Sequence, residues 1–310
     1  MKTEDGMMRR ISIGSWAFTI GPYQNDPVPF ETVGARLREL GFDGMELGGF
    51  PPHPNPTDLP EPAQREAVRA RMAEWDLEFS GLAANLWGER LIDTDDPTPY
   101  VEAFTENCRF CNDLGIGVIR VDSVQPPTIF ETVDRETALN RVTRTWTRCA
   151  QIAADHGLTV CWEFEPGFAF NKPGDVVQVL EGVPAENFGV LYDTSHGHMC
   201  AVVGARQPGE KEVLEGGQVE LIARLSGRIN HIHLIDSDNT CHTDATGKDE
   251  TSMHLPFGEG VVDFPPILEA LAAEDVGHDW WTIDLCFWPD AWEATEHCKR
   301  VADEFVAAHA

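Results

Sequence analysis

The residues that could do chemistry are concentrated at the ends of short apolar segments in the second half of the chain. Carboxylates and imidazoles stand there in Glu163-Phe164-Glu165-Pro166, Asp193-Thr194-Ser195-His196 and His231-Ile232-His233, and at Asp284. Carboxylate oxygens with one or two imidazole nitrogens suit Mg2+, Mn2+, Co2+ or Zn2+, and a majority of carboxylates favours Mn2+ or Mg2+. We therefore predict a divalent metal, Mn2+ first, held by Glu165, Asp193, His233 and Asp284.

These residues also have simpler interpretations. Glu165 could pair with a core arginine such as Arg120, although two glutamates on one strand face are costly without a cation. Asp193 could cap the helix that follows it. His233 lies nearer the end of its segment and is the predicted ligand, whereas His231 is a candidate for a supporting hydrogen bond, a core position or a substrate contact. The metal interpretation is preferred for Glu165, Asp193 and His233.

Eight segments rich in β-branched and aromatic residues could place these side chains on strands. They are 10–15, 44–49, 77–82, 117–123, 158–164, 188–193, 229–235 and 280–287. Helical patterns, with apolar residues three and four positions apart, lie between them, for example at 30–40, 63–75, 136–157 and 264–274. Alternating strands and helices are typical of parallel βαβ units, and eight such units close a barrel. The sequence predicts a single (β/α)8 TIM-barrel domain over residues 1–310.

Glycines mark the ends of several predicted helices. Gly41, Gly115 and Gly157 each stand just before a predicted strand, as expected for the left-handed position after a helix. The first predicted strand runs into Gly14-Ser15-Trp16-Ala17 and is not followed by a GxGxxG turn. The absence of that turn disfavours a doubly wound nucleotide-binding sheet.

Long segments follow three of the predicted strands, at 84–100, 196–218 and 236–260. In a TIM barrel such segments build the carboxyl-terminal rim, where active sites lie. Trp16 and Trp288 stand near strand ends and are predicted to contact the substrate by stacking on a sugar face or an aglycone. Hydrophobic packing beneath the loops is the alternative for these tryptophans and for Trp87 and Trp292.

The chain is strongly acidic, with 52 Asp and Glu against 23 Lys and Arg and a net charge of -29. Such a charge repels polyanions and argues against nucleic acid or an anionic membrane as partner. No apolar run is long enough to span a membrane and the first residues lack a secretion signal, which predicts a cytoplasmic protein. The eight cysteines, including the pair in Cys108-Arg109-Phe110-Cys111, are therefore expected to be reduced and packed.

Four motifs spread over the chain carry a resemblance to a known family. They are LGFDGMEL at 40–47, Glu165-Pro166, Asp193-x-x-His196 with His231-x-His233, and FGEGVVDFPPILEAL at 257–271. The chain resembles the xylose isomerase-like superfamily, which includes sugar isomerases and epimerases, inosose dehydratases and endonuclease IV. Its ketose 3-epimerases imply Glu165, Asp193, His233 and Asp284 as metal ligands, and His196 as a substrate contact.

Two positions differ from the ketose 3-epimerases. Asp284 stands where those enzymes have Glu, so its carboxylate is one methylene shorter. Asn171 stands where they have a second Glu, six residues after the strand-five ligand. Both differences lie in the predicted site, and they leave the exact reaction open.

The resemblance implies proton transfer next to the carbonyl of a ketose or related polyol, through an enediolate that a divalent cation stabilises. Glu165 and Asp284 are the predicted catalytic pair, one on each side of the reacting carbon. The predicted function is that of a sugar isomerase or epimerase, with a homo-oligomer expected by analogy. Elimination from an inosose or a 3-oxo-glycoside is the alternative, and a non-catalytic sugar-binding barrel is a further one. Phosphodiester cleavage is disfavoured because the chain has few basic residues.

Overall fold

A computed structural model describes residues 9–244 and 246–309, and in this part of the chain strands and helices alternate. The strands are β1 Arg10–Gly14, β2 Gly44–Gly48, β3 Glu78–Ala83, β4 Val118–Val121, β5 Thr159–Glu163, β6 Phe188–Asp193, β7 Ile229–Leu234, β8 Cys241–Thr243, β9 Asp249–Ser252 and β10 Trp280–Ile283. The helices are α1 Phe30–Glu39, α2 Pro62–Glu74, α3 Thr98–Leu114, α4 Arg135–Asp155, α5 Pro173–Gly182, α6 Thr194–His198, α7 Gly217–Arg224, α8 Phe264–Ala272 and α9 Ala291–Ala308.

Eight of these strands close into a parallel barrel in the order β1-β10-β7-β6-β5-β4-β3-β2. The two remaining strands, β8 and β9, form an antiparallel hairpin within the segment 236–260. The predicted (β/α)8 barrel with long loops at its carboxyl-terminal rim is confirmed. The last strand is shorter than predicted. β10 ends at Ile283, and Asp284 begins the loop that follows.

Side chains alternate along each strand between the outside and the inside of the barrel, which gives two apolar layers. Outward-facing side chains pack on the helices, as where the ring of Trp162 on β5 lies 5.3 Å from that of Trp146 on α4. Inside the barrel, Val118, Cys161 and Leu191 form a small buried cluster. The next inward position on β5 after Cys161 is Glu163, so the polar residues begin where this inner apolar cluster ends.

The predicted helix ends are also confirmed. Gly41, Gly115 and Gly157 all have positive φ, and Gly115 follows α3 with φ 75°. Its N–H donates to the carbonyl groups at the end of that helix. Glycine adopts this left-handed conformation without the cost that a side chain would add.

The CxxC pair lies in the core. Cys108 and Cys111 are buried on α3 and neither forms a disulfide with another described residue. Among the helices described, we find none with the length and apolarity needed to cross a bilayer.

Candidate metal centre and active site

Four polar side chains converge above the inner apolar cluster. His233 Nδ1 lies 3.1 Å from Asp284 Oδ2 and 3.3 Å from Glu163 Oε1. One ligand atom each of Asp193, His233 and Asp284 lie within 4.8 Å of one another. All four residues are buried. We refer to Glu163, Asp193, His233 and Asp284 as the ligand cluster.

The ligand cluster contains two acceptor oxygens that no described residue satisfies. Glu163 Oε1 and Asp193 Oδ2 are buried and form no hydrogen bond with any described residue. Burying a carboxylate oxygen without a partner is costly, and a cation would remove that cost. Three carboxylates and one imidazole are also a chemically suitable set for a divalent ion. The residues present therefore fit a divalent metal.

Charge crowding shifts the acid-base properties of the cluster. Burial, together with the charge of Asp284, raises the pKa of Asp193 to about 7 against the opposing effect of His254. Burial also acts to raise the pKa of Asp284, but His254 and His233 hold it well below its usual range. Because a metal ligand must be deprotonated, cation binding at Asp193 would displace a proton near neutral pH.

Glu165, the predicted ligand on β5, lies outside the ligand cluster. It follows β5 by two residues and lines the cavity above the cluster. Thr251 donates its hydroxyl to Glu165 Oε2, and His196 Nε2 lies 3.4 Å from the same oxygen. Burial, with the nearby charge of Glu163, raises the pKa of Glu165 to about 8. A carboxyl group with this pKa can exchange a proton near neutral pH, while its direct contact with a metal stays a prediction.

Arg120 pairs with Glu163, whereas the sequence had raised a pairing with Glu165. Its Nη1 lies 2.7 Å from Glu163 Oε2, and its Nε donates to Asp122 Oδ1 at 2.9 Å. The pair occupies one oxygen of Glu163 and leaves Oε1 directed at His233. Arg120 thereby compensates part of the cluster's negative charge and holds Glu163 in place.

Glu46 orients the histidine of the ligand cluster and was not identified from the sequence. Its Oε2 lies 2.9 Å from His233 Nε2 and 2.7 Å from His231 Nε2, and all three side chains are buried. A carboxylate accepts an N–H, so this contact places the proton of His233 on Nε2 and leaves Nδ1 free for a cation. An acidic residue within the apolar segment GMELGG was the available signal.

His231 lies deeper than its predicted role as a substrate contact requires. Its Nδ1 is 3.1 Å from His278 Nε2, its Nε2 contacts Glu46, and it does not line the cavity. This placement corresponds to the supporting hydrogen bond that the sequence left open as an alternative. Its contact with a substrate remains a prediction.

His196 and its neighbour Asp193 show why a capping residue can also be a ligand. The backbone N–H of His196 donates to Asp193 Oδ1 at 2.8 Å at the start of α6, which leaves Oδ2 free. His196 Nδ1 lies 2.8 Å from Ser252 Oγ, and the ring lines the cavity. Burial, together with the charge of His254, lowers the pKa of His196 well below its usual value. Capping and metal binding are therefore compatible at Asp193.

His254 is a further site residue that the sequence interpretation missed. It lies in the segment 236–260, lines the cavity, and has its Nδ1 3.7 Å from Asp284 Oδ1 and its Nε2 4.0 Å from Asp193 Oδ1. Burial would lower its pKa, but the charges of Asp284 and Asp193 raise it to about 9. Its position just before the FGEG motif on a rim segment was the only sequence signal.

The two tryptophans predicted to contact a substrate, Trp16 and Trp288, line different cavities. Trp16 lines the cavity, and its Nε1 donates to Asp284 Oδ1 at 2.6 Å. Trp87 also lines the cavity, whereas Trp288 lines a separate surface cavity with Glu259 and His297. Contact of Trp16 and Trp288 with a substrate stays a prediction, and for Trp288 it would require a substrate that extends to the second cavity.

The cavity above the ligand cluster has a volume of about 510 Å³. Its polar lining includes Glu163, Glu165, His196, His254 and Asp284. The β8–β9 hairpin lies over one side, where Ser252 contacts His196 and Thr251 contacts Glu165. The arrangement can hold a cation, bind a small polar molecule beside it, and move a proton between that molecule and a carboxyl or imidazole group.

The family model described as Xylose isomerase-like TIM barrel matches residues 35–301, and the chain belongs to this family. The resemblance inferred from the four sequence motifs is thus confirmed.

Curated relatives cover most of the chain. It is 26% identical over 307 residues to "Rhizopine catabolism protein MocC" of Rhizobium meliloti, which covers 91% of this chain and 85% of that protein. It is 22% identical over 286 residues to "Inosose dehydratase" of Bacillus velezensis, with 84% and 85% covered.

Solved structures show the same fold. The IOLI protein with a binding zinc atom has a TM-score of 0.73 and 16% identity, covering 97% of this chain and 99% of that one. The structure of L-ribulose 3-epimerase has a TM-score of 0.70 and 18% identity, covering 97% and 96%. The proteins similar to this chain thus include dehydratases and epimerases.

Proposed function

We propose that the chain is a divalent-metal-dependent lyase that removes a proton next to the ketone of a polyol ring and expels the oxygen substituent on the following carbon. One observation carries the proposal: carboxylate oxygens that form no hydrogen bond with the described residues lie beneath a cavity that is also lined by Glu165, His196 and His254. A cation site and a proton-transferring group on the same cavity are what this reaction requires.

Glu163, Asp193, His233 and Asp284 would hold the metal. The excess of carboxylates over imidazoles in this set supports Mn2+ as the first candidate. When bound, a divalent ion acts as a Lewis acid for the negative charge that develops at the ketone when the proton leaves. Arg120 and Glu46 would keep Glu163 and His233 in position.

Glu165 would accept the proton from the carbon next to the ketone. Its raised pKa of about 8 and its place in the cavity wall suit a general base. The electrons of the broken C–H bond form a C=C bond while the C–O bond on the next carbon breaks. His254 would donate a proton to the departing oxygen, since both of its ring nitrogens lack a hydrogen bond with the described residues. The products are an unsaturated ketone and water or an alcohol.

Two observations support elimination over epimerisation. The curated relatives include inosose dehydratases by name. Epimerisation needs an acid or base on each face of the reacting carbon. Ketose 3-epimerases have a second Glu six residues after their strand-five ligand, whereas Ala169 and Asn171 stand six residues after Glu163 and Glu165. Asn171 is buried and donates its side-chain N–H to the carbonyl of Pro166 at 3.1 Å, so it supports the loop after β5.

A sugar epimerase or isomerase is the second candidate. Glu165 and Asp284, the catalytic pair predicted from the sequence, both line the cavity. A substrate bound between them could lose a proton to one carboxylate and regain it from the other. The likeness in fold to L-ribulose 3-epimerase agrees with this second candidate.

The test is proton NMR in D2O on the full chain loaded with Mn2+, using inososes, methyl 3-oxo-glucoside and ketoses, with the metal removed before acquisition. We expect loss of water from an inosose or of methanol from the glucoside. Deuterium at the carbon next to the carbonyl, with an epimer or isomer and no elimination, would favour the second candidate. A metal-loaded chain that exchanges no proton in any of these ketones would contradict both.

Glu165→Gln is the matched variant for this experiment. It keeps the size of the side chain and removes the proton-accepting carboxylate. We expect it to bind Mn2+ as the unmodified chain does and to show no exchange or elimination. Full activity of this variant would remove Glu165 from the proposed chemistry.

A further inference from the structure

One side of the cavity is lined mainly by apolar residues. The ligand cluster comes from β5, β6, β7 and β10, which are consecutive around the ring. The segments after β2, β3 and β4 instead contribute Phe50, Trp87, Val124 and Pro126 to the lining of the same cavity. We refer to these four residues as the apolar wall. Although Arg120 on β4 also lines the cavity, the apolar wall offers an uncharged surface beside the site of the proposed chemistry.

Trp87 is the most prominent residue of the apolar wall. It is 48% exposed, although an indole of this size is usually covered. Its Nε1 donates to Asp122 Oδ2 at 3.0 Å, and Asp122 is itself buried and paired with Arg120. The ring of Phe50 lies 5.6 Å away at an angle of 34°. The indole is thus fixed by a buried acceptor while much of its surface stays open, as expected of a stacking platform.

Val124 adds evidence that the apolar wall has a function. Its φ is 65°, a left-handed conformation that is a clear outlier for a β-branched residue. The next residue is tied on both sides: Gln125 accepts an N–H from Ala169 at its carbonyl at 2.8 Å and one from Ile92 at its side chain at 3.0 Å. Backbone strain that the surroundings maintain next to a cavity is typical of ligand sites.

We propose that the apolar wall binds an aryl group carried by the substrate, an inference that rests on the proposed lyase function. The polyol ring would lie over the ligand cluster with Glu165 beside it, and the aryl group would stack on Trp87. A volume of about 510 Å³ falls within the usual range for drug-sized ligands, so it accommodates more than a bare polyol ring. The substrate class is therefore a polyol ketone with an aromatic substituent, such as an aryl 3-oxo-glycoside.

The test measures binding apart from turnover. Phenyl and methyl glucosides, and phenyl and methyl ethers of myo-inositol, lack the ketone and so cannot undergo the proposed elimination. Isothermal titration of the Mn2+-loaded full chain should show a phenyl compound binding about tenfold tighter than its methyl counterpart. Trp87→Ala should remove most of that preference without changing affinity for the methyl compound, and Trp87→Phe, which retains an aromatic ring, should keep most of it.

The proposal is overturned if neither phenyl compound binds better than its methyl partner, or if Trp87→Ala weakens both alike in a chain whose thermal unfolding is unchanged. Failure here is distinguishable from failure of the lyase function. Turnover of methyl 3-oxo-glucoside without a phenyl preference would reject only the aryl site. A phenyl preference without turnover of any ketone would reject only the lyase.

Discussion

Glu46→Gln tests how the ligand cluster is oriented. The carboxylate of Glu46 is buried, and a single oxygen lies within hydrogen-bonding distance of both His231 and His233. Glutamine has nearly the same size, so the barrel should keep its packing. It is neutral, however, and its amide group can donate as well as accept. Donation to His233 Nε2 would place the ring proton on Nδ1, where it would block the cation.

The expected effect is a loss of metal affinity. Burial opposes the charge on Glu46, but His233 and His231 lower its pKa below the usual value, so the carboxylate is charged at neutral pH. Removing the hydrogen-bond partner of a ligating histidine typically costs about 10- to 100-fold in metal affinity, or ~1.4–2.7 kcal/mol. We expect a loss in this range for Mn2+ because the other three members of the ligand cluster remain.

The assay is titration of the metal-free chain with Mn2+, followed by electron paramagnetic resonance of the free ion. Glu102→Gln is the control, because Glu102 is an exposed glutamate on α3. Thermal unfolding of both metal-free variants checks that the fold is kept. If Glu46→Gln binds Mn2+ as tightly as the control does, Glu46 does not set the proton position of His233 and the orientation argument fails.

Three further predictions concern the cluster and the cysteines. Glu163→Gln should weaken Mn2+ binding at least about tenfold while Glu165→Gln leaves it unchanged; the reverse result, read by the same titration, would assign the metal contact to Glu165. Mn2+ affinity should rise as the pH is increased from about 6 to about 8, because Asp193, with a pKa raised to about 7, is mostly protonated at the lower end of this range and must lose its proton to bind the metal. Calorimetry in two buffers would reveal the released proton. An affinity that does not change with pH would contradict this prediction. Burial raises the pKa of Cys108 to about 12 and that of Cys111 well above its usual value, so a thiol reagent at about pH 8 should label them only after denaturation; rapid labelling of both in the folded chain would show that they are not packed.

The net charge of the surface and the charges at the site have different electrostatic effects. A net charge of -29 acts over the whole surface, whereas Arg120, whose side chain is only 11% exposed, lies beside the buried Glu163 and offsets charge where it is most concentrated. The favourable effect of such a buried pair depends on its geometry, while exposed charges are screened by salt. Salt should therefore affect encounter with charged molecules more than it affects the ligand cluster.

Much of the fold could be predicted from the sequence because it depends on local patterns. Apolar periodicity and glycines such as Gly115 are properties of short segments, and repeated strand and helix units have few ways to pack other than a barrel. The same reasoning finds Asp193, His233 and Asp284, because parallel strands carry the residues at their carboxyl ends to one rim. These three lie together in the structure.

The choice between Glu163 and Glu165 required the tertiary structure. The two residues are two positions apart, with Glu163 at the end of β5 and Glu165 just beyond it, so strand alternation directs both toward the barrel axis and cannot separate them. Which carboxylate reaches His233 depends on the relative height of neighbouring strands, which the tilt and stagger of the closed barrel determine. Only the three-dimensional arrangement places Glu163 Oε1 at 3.3 Å from His233 Nδ1.

Contacts between residues distant in sequence could not be predicted from local patterns either. Glu46 reaches His231 across 185 positions, because side chains of β2 and β7, which β1 and β10 separate around the ring, meet in its interior. His254 lies on a rim segment that has no alternating apolar pattern to indicate its orientation. For Trp288, the sequence does not indicate which of the two cavities the side chain lines. The sequence by itself determined the barrel and most of the residues at its rim through local periodicity. The tertiary structure decided which of those residues meet, because contacts between distant segments depend on how the closed barrel positions its strands and loops.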